Sequence, residues 1–248
     1  MTRSASRVCD AYCTLGLARD EKQSAADLLL GMDRAGVDAA LIAPGSEELA
    51  VHNRAGNRRI AAIAASAQGR LIPAFSVNPW RGAEAVDLLR EAVDEGGRVL
   101  ILAPHRQGCH LGDPVADPVV DWAVSHNIPI YAHASPSSSG TPSQMFLLVE
   151  RFPGGRFLLG RGGTTDYASD MLPLLRLKLP NLWFDTGFVR PSALRAYAEE
   201  APGRMCFASC APQNAMGLER DLLEESVNPG HLSAILGGNF LQFLGHDR

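Results

Sequence analysis

Eight short apolar segments, each followed by a stretch with helical periodicity, constrain this chain more than any other feature. They are RVCDAYCT (7–14), DAALIAP (38–44), LIPAFSV (71–77), RVLILAP (98–104), PIYAHA (129–134), RFLLGR (156–161), LWFDTGF (182–188) and MCFASCA (205–211). Short apolar runs bounded by polar and turn residues read as buried strands. Between them, AEAVDLLREAVDEGG places Val86, Leu89 and Val93 on one helical face and stops at Gly96 and Gly97. DPVVDWAVSHN opens with Asp117 as an N-cap and Pro118 at the first helical position, and Ser24 and Asp27 stand at capping-box spacing. Eight strands alternating with helices over 248 residues predict a single (β/α)8 TIM barrel spanning 1–248 as one domain. An open doubly wound sheet is the competing architecture. ASPSSSGTPS (134–143) follows the fifth strand and reads as a flexible βα loop. Such loops surround the active site of a barrel, so a lid is the alternative reading.

With 46% hydrophobic and 20% charged residues, the chain can bury a sizeable core. A formal net charge of -4 gives no reason to expect nucleic acid or an anionic membrane as partner. No apolar run reaches the length of a membrane span, and MTRSASRVCD lacks the apolar region of a signal peptide. The expected location is therefore cytoplasmic. The five cysteines, Cys9, Cys13, Cys109, Cys206 and Cys210, are odd in number and form no CxxC, so free thiols are expected.

Seven segments, in order, carry a resemblance. VCDAYCTLG is similar to an opening DxHxH strand. HNRAGNRRIAAIAASAQGRLIPAFSVNP is similar to a second helix and third strand, and ADPVVDWAVSHNIPIYAHAS to a fourth helix running into a strand that ends in a ligand His. RFPGGRFLLGRGG resembles FP…LGHxG, LPNLWFDTGFV resembles PNvyxDtS, RMCFASCAP resembles RvxFGSDxP, and ILGGNFLQFLG resembles ILGxNaxrlLG. From about residue 7 to residue 245 the chain resembles the amidohydrolase-related family of metal-dependent hydrolase and decarboxylase barrels.

The resemblance implies an active centre at the C-terminal strand ends, and it shows which ligands are replaced. Asp10 and the fifth-strand His133 are retained. The two opening histidines are Tyr12 and Thr14, the fourth-strand KxHP is Ile101-Leu102-Ala103-Pro104, the sixth-strand His is Arg161, and the eighth-strand Asp is Cys210. A catalytic zinc site needs three protein ligands drawn from His, Asp, Glu or Cys. A fixed guanidinium where the metal would lie repels a second cation. No metal or other cofactor is expected, and Arg161 replaces part of the lost positive charge.

If Tyr12 and Thr14 point inward as the family's histidines do, strand alternation turns Asp10 inward too and Cys9 and Cys13 toward the outer helices; Cys210 takes the inward place of the family's Asp, with Cys206 at the same parity deeper in the barrel. Arg161 at the mouth suits a substrate carboxylate or phosphate; its alternative is an internal ion pair with Asp10. The candidate catalytic groups are His133, Cys210, Tyr12 and Asp185. His133 is a general acid or base, and Cys210 a nucleophile or an inert replacement. Tyr12 is a donor or a plug filling the emptied site, and Asp185 a base or a structural carboxylate. Arg161, Asp10, Thr14 and Trp80 are the substrate-binding candidates. His105, Cys109 and His110 in PHRQGCH would form a relocated metal site only if joined by His133 or Cys210. The leading expectation is a metal-independent enzyme acting on a small, carboxylate-bearing molecule by hydrolase, lyase or cyclase chemistry. A non-catalytic pseudoenzyme that binds a ligand or partner subunit is the alternative, and a metalloenzyme with a relocated Cys/His site ranks third. A homodimer is the default assembly.

Overall fold

Every one of the eight apolar segments forms a strand. They are β1 Cys9–Leu15, β2 Ala39–Pro44, β3 Leu71–Ser76, β4 Val99–Leu102, β5 Ile130–His133, β6 Phe157–Gly160, β7 Leu182–Asp185 and β8 Met205–Cys206. The computed structural model describes residues 7–134, 139–161 and 168–246. All strands pair in parallel with their sequence neighbours, in the order β1 to β8. The seam between β8 and β1 is bridged by Ala11 N to Phe207 O (2.8 Å), Cys210 N to Tyr12 O (3.1 Å) and Thr14 N to Ala211 O (2.8 Å). The architecture is the predicted (β/α)8 TIM barrel.

Period-two alternation divides the strand residues between two cores. Outward residues such as Ile42, Phe75, Leu100 and Phe157 pack under the helices. Inward residues such as Leu41, Ala74, Ile101, Leu158 and Trp183 fill the barrel, where Phe240 and Phe243 of the C-terminal helices join them.

The first strand breaks the alternation. Cys9 pairs with Ala39 and Asp10 with Ala40, but Cys13 pairs with Ile42 and Thr14 with Ala43, so β1 holds one extra residue between Asp10 and Cys13. This bulge places Ala11 and Tyr12 in succession in the interior cluster. It corrects two of the five directions expected along β1. Cys9 lies in the interior, and Asp10 falls in register with the outward Ala40. Tyr12 and Thr14 do turn inward and Cys13 outward, and Cys206 and Cys210 share the interior.

Other boundaries shift by smaller amounts. Regular pairing of β8 with β7 ends at Cys206; beyond it Phe207 O, Cys210 N and Ala211 O bond to β1, and Phe207 N bonds to Ile235 O. The helix predicted from DPVVDWAVSHN begins at Asp117 itself, with Ala116 as N-cap. Helix Ala83–Asp94 buries Ala85, Leu88, Leu89 and Ala92, leaving Val86 and Val93 on its margins. Ser24 caps helix Ala25–Ala35 by accepting from Asp27 N at 3.1 Å, as its spacing indicated. Of the 134–143 segment, Thr141 forms a capping box with Gln144 at the start of helix Pro142–Arg151. The lid reading falls on 135–138, outside the described residues. All five cysteines are free and buried. No helix among the described residues is long and apolar enough to cross a membrane.

Candidate active site

Alternation on β5 sends both Tyr131 and His133 into the barrel, and the β1 bulge sends Tyr12 to meet them. The rings of Tyr12 and Tyr131 stack with centroids 4.9 Å apart and 21° between planes. His133 stands edge-on to both, at 4.8 Å from Tyr12 and 5.4 Å from Tyr131. All three side chains are buried. The space for the Tyr131 ring comes from β6, where a Cβ on Gly160 would lie 2.0 Å from the Tyr131 hydroxyl oxygen. Any side chain at 160 would expel the ring.

Asp185 at the end of β7 organises the next layer. Its Oδ2 accepts from the Tyr131 hydroxyl at 2.5 Å, and its Oδ1 accepts from the backbone N–H of Arg161 at 2.8 Å and of Gly187 at 3.0 Å. Complete burial pushes its carboxyl up to about 6, against the pull of these three hydrogen bonds.

Arg161 follows β6 with φ at 57°, a left-handed conformation that is costly for a residue with a Cβ. The Asp185 carboxylate holds it there through the backbone N–H. The guanidinium lies over the Phe188 ring at 5.0 Å, and its Nη2 donates to Gln213 Oε1 at 2.9 Å. Its Nε is buried with no hydrogen-bond partner, and no carboxylate among the described residues pairs with it. Cys210, also left-handed at φ 58°, is buried beside it; a Cβ on Gly187 would come within 2.5 Å of its Sγ. Burial and the neighbouring Asp185 charge raise the Cys210 thiol well above its ordinary range, with Arg161 opposing. At neutral pH Cys210 is a thiol, without the activation a nucleophile needs.

Among the described residues neither ring nitrogen of His133 has a hydrogen-bond partner. Burial holds its imidazole well below the usual histidine range, and Arg161 and His105 push in the same direction. The His105 ring lies 6.2 Å away, nearly parallel, lowered to about 4 by burial, then by Arg106 and Arg161. His105 also borders a surface groove of about 400 Å³ with Ser46, Glu47, Ala50, Val51, His52 and Arg106, which His133 does not line.

The amidohydrolase family model matches residues 15–239. The chain belongs to the amidohydrolase family. Among solved structures, 5-carboxyvanillate decarboxylase from Sphingomonas paucimobilis superposes with a TM-score of 0.79 at 16% identity, covering 97% of this chain and 99% of that one. A dihydroxybenzoic acid decarboxylase from Polaromonas, with bound manganese and the inhibitor 2-nitroresorcinol, gives 0.79 at 12% identity, covering 98% of each chain. A probable 2-pyrone-4,6-dicarboxylic acid hydrolase from Acinetobacter baumannii, with citric acid bound, gives 0.69 at 14% identity, covering 96% of this chain and 99% of that one. At these identities the likeness is one of fold. No curated protein matches the chain.

The residues of this amidohydrolase-family chain do not fit the metal that the family resemblance implies. Among the described residues no three His, Cys, Asp or Glu side chains come together as a ligand set. Where ligands would converge stand a phenol, a threonine, a protonated guanidinium and a buried thiol. Asp10 is spent elsewhere: its Oδ1 accepts from Tyr12 N (3.1 Å) and Ser209 N (3.0 Å), so the carboxylate spans the β1–β8 seam. Burial pushes it up to about 6. The alternative Arg161–Asp10 ion pair is therefore not formed. The relocated Cys/His site does not assemble either. His105 approaches His133, but Cys109 is buried near Asp113, and His110 engages Asp113 through its backbone and Gln144 through its ring.

Of the residues singled out in the sequence, the fold brings His133, Tyr12, Arg161, Cys210 and Asp185 together. Thr14 joins them as a buried neighbour whose hydroxyl donates to the Tyr12 oxygen at 3.4 Å. Asp10 sits at the seam. Trp80 is 63% exposed, with its Nε1 donating to Gly108 O at 3.0 Å, so it stands on the rim and walls no buried pocket. Sequence reading missed Tyr131 and Gln213. Tyr131 had a signal, since it precedes His133 by two residues on one strand and so shares its face. Gln213 had none, because a loop has no period.

Proposed function

We propose that this protein acts on a small organic molecule bearing a carboxylate, by lyase or hydrolase chemistry that uses no metal. The observation that carries this reading is the Arg161 cation. It is mounted at the C-terminal end of a barrel strand and fixed by its backbone; among the described residues it has no carboxylate partner, and the nitrogens of the neighbouring His133 have no hydrogen-bond partner. A guanidinium so placed matches a carboxylate in charge and in planar geometry. The solved neighbours named for carboxylated substrates point to the same ligand class.

In this reading Arg161 supplies the fixed positive charge. The Tyr12 phenol, whose ionisation burial makes harder, stays a hydrogen-bond donor. His133 is neutral before substrate arrives. Burial first, and then the Arg161 charge, suppress its basicity; a bound carboxylate offsets the second of these and so makes the imidazole a better proton acceptor than in the free protein. Positioned proton transfer contributes roughly 10²–10⁴-fold, and the fixed cation provides the electrostatic complement. Asp185, with three hydrogen bonds already accepted, positions Arg161 and Tyr131 and is not the base.

A second reading has its own support. The Tyr12–Tyr131 stack fills the barrel centre, as a pseudoenzyme that only binds a ligand or a partner would tolerate. One experiment separates them. Chelator-treated, desalted protein is incubated with benzoate, 2,6-dihydroxybenzoate and citrate, binding is followed by calorimetry and products by mass spectrometry. Turnover lost in Arg161→Gln and His133→Gln supports the enzyme. Binding without turnover selects the second reading. Turnover that needs an added divalent metal overturns metal independence.

A further inference from the structure

We propose that Gln213 is the group a ligand carboxylate displaces from Arg161, and that its neutral charge is what keeps the site open to anions. The inference rests on the reading of Arg161 as the anion anchor and adds a residue that sets the charge selectivity of the site.

The two halves of the Arg161 side chain are held very differently. At the backbone, the N–H is bound to the buried Asp185 carboxylate at 2.8 Å, so the residue cannot swing away from the strand end. At the tip, among the described residues, one nitrogen is bound to one amide oxygen, and the buried Nε has no partner. A guanidinium carries five N–H donors and matches an acid best through two parallel bonds. The Gln213 amide answers one donor, and no carboxylate among the described residues bonds to the guanidinium directly.

Gln213 is placed to yield. Its side chain is exposed, while its backbone N–H donates to Cys210 O at 3.1 Å, in the turn that also carries Cys210 beside Arg161. The amide arm thus reaches over the mouth from a fixed base and can rotate into solvent at no packing cost. A neutral acceptor on an exposed arm is a weak competitor for a cation; a carboxylate at the same place would be a strong one. Glutamate at 213 would close the site with the chain's own anion, whereas glutamine caps the charge and releases it.

The test is equilibrium binding of benzoate, 2,6-dihydroxybenzoate and citrate to wild type, Arg161→Gln, Gln213→Ala and Gln213→Glu, with melting temperatures measured alongside. Position 213 is exposed, so both of its variants are expected to melt with wild type. Gln213→Ala is expected to bind as tightly as wild type or a few-fold tighter, and Gln213→Glu about tenfold or more weakly, the difference narrowing as salt rises. If Arg161→Gln abolishes binding while Gln213→Glu binds like wild type, the ligand reaches Arg161 without displacing Gln213, and this inference falls while the anchor stands. If binding survives Arg161→Gln, or no probe binds wild type, the anchor itself is wrong and this inference goes with it.

Discussion

The Tyr131 hydroxyl and the Asp185 carboxylate, neither in contact with solvent, form a 2.5 Å hydrogen bond across the barrel interior, from β5 to β7. Removing the hydroxyl leaves Asp185 Oδ2 buried without its donor. Tyr131→Phe is therefore expected to lose about 1–3 kcal/mol of stability at neutral pH, the cost of an unsatisfied buried acceptor. It also removes the strongest hydrogen bond holding the Asp185 carboxyl down, so that carboxyl moves further above its present value of about 6. Urea denaturation gives the first quantity and carboxyl-resolved NMR titration the second. A variant as stable as wild type would mean that the bond contributes nothing net.

Asp10 and Asp185 are both raised from 3.8 to about 6 by burial. The folded state therefore holds a proton that the unfolded chain releases. Their contribution to stability is fully present below the unfolded value and is lost as pH rises through about 6. A shift of this size corresponds to on the order of 3 kcal/mol for a fully buried group. Relative to wild type, Asp10→Asn is expected to gain stability as pH rises from 4 to 7 and to run parallel above that. Chemical denaturation across this range checks the slope; a constant difference would show that Asp10 does not titrate on folding.

His133 has the opposite sign. Its folded imidazole is held well below 6.5, so the unfolded chain binds the proton more readily. Wild type is expected to lose stability relative to His133→Gln as pH falls below 6.5, and ligand-free His133 should give no NMR titration step near neutrality. A step near 6.5 would contradict its burial as a neutral ring.

Gly160→Ala places a methyl group 2.0 Å from the Tyr131 oxygen and 2.1 Å from its ring carbon. Overpacking of this kind costs about 1–3 kcal/mol or more. Gly160→Ala/Tyr131→Ala should be more stable than the sum of the single changes implies, because removing the ring removes the clash. Additive losses would mean the two residues do not compete for space.

Elemental mass spectrometry of the purified protein, as isolated and after zinc, manganese or iron supplementation with desalting, is expected to find less than about a tenth of an equivalent of any metal, given the affinity of a true three-ligand site. Near one equivalent of one metal, lost on replacing His133 or Cys210, would refute the reading of the ligand set.

Which parts of this were legible in the sequence follows from which residues obey a period. The apolar runs fixed all eight strands because a strand buried on both faces must be apolar throughout. The family resemblance placed Tyr12, Thr14 and Cys210 inward, and the structure has them there; period two extended that direction to their neighbours on β1. It failed at Asp10 and Cys9, because the bulge depends on how β1 meets β8, and no residue between Asp10 and Cys13 announces it. The Arg161–Asp10 pair failed for the same reason. Where a guanidinium finds its partner is a matter of three dimensions: the Gln213 contact spans 52 positions of chain.

The chain has four tyrosines, and two of them, Tyr12 and Tyr131, form the stacked pair at the barrel centre. Coupled aromatic transitions in a rigid, asymmetric setting contribute to near-ultraviolet circular dichroism, alongside those of the three tryptophans. The protein therefore carries its own optical probe at the centre of the proposed site. A molecule that settles on the rim leaves the tyrosine band as it is, whereas one that enters the centre parts the rings and changes it, with no label attached and no product formed.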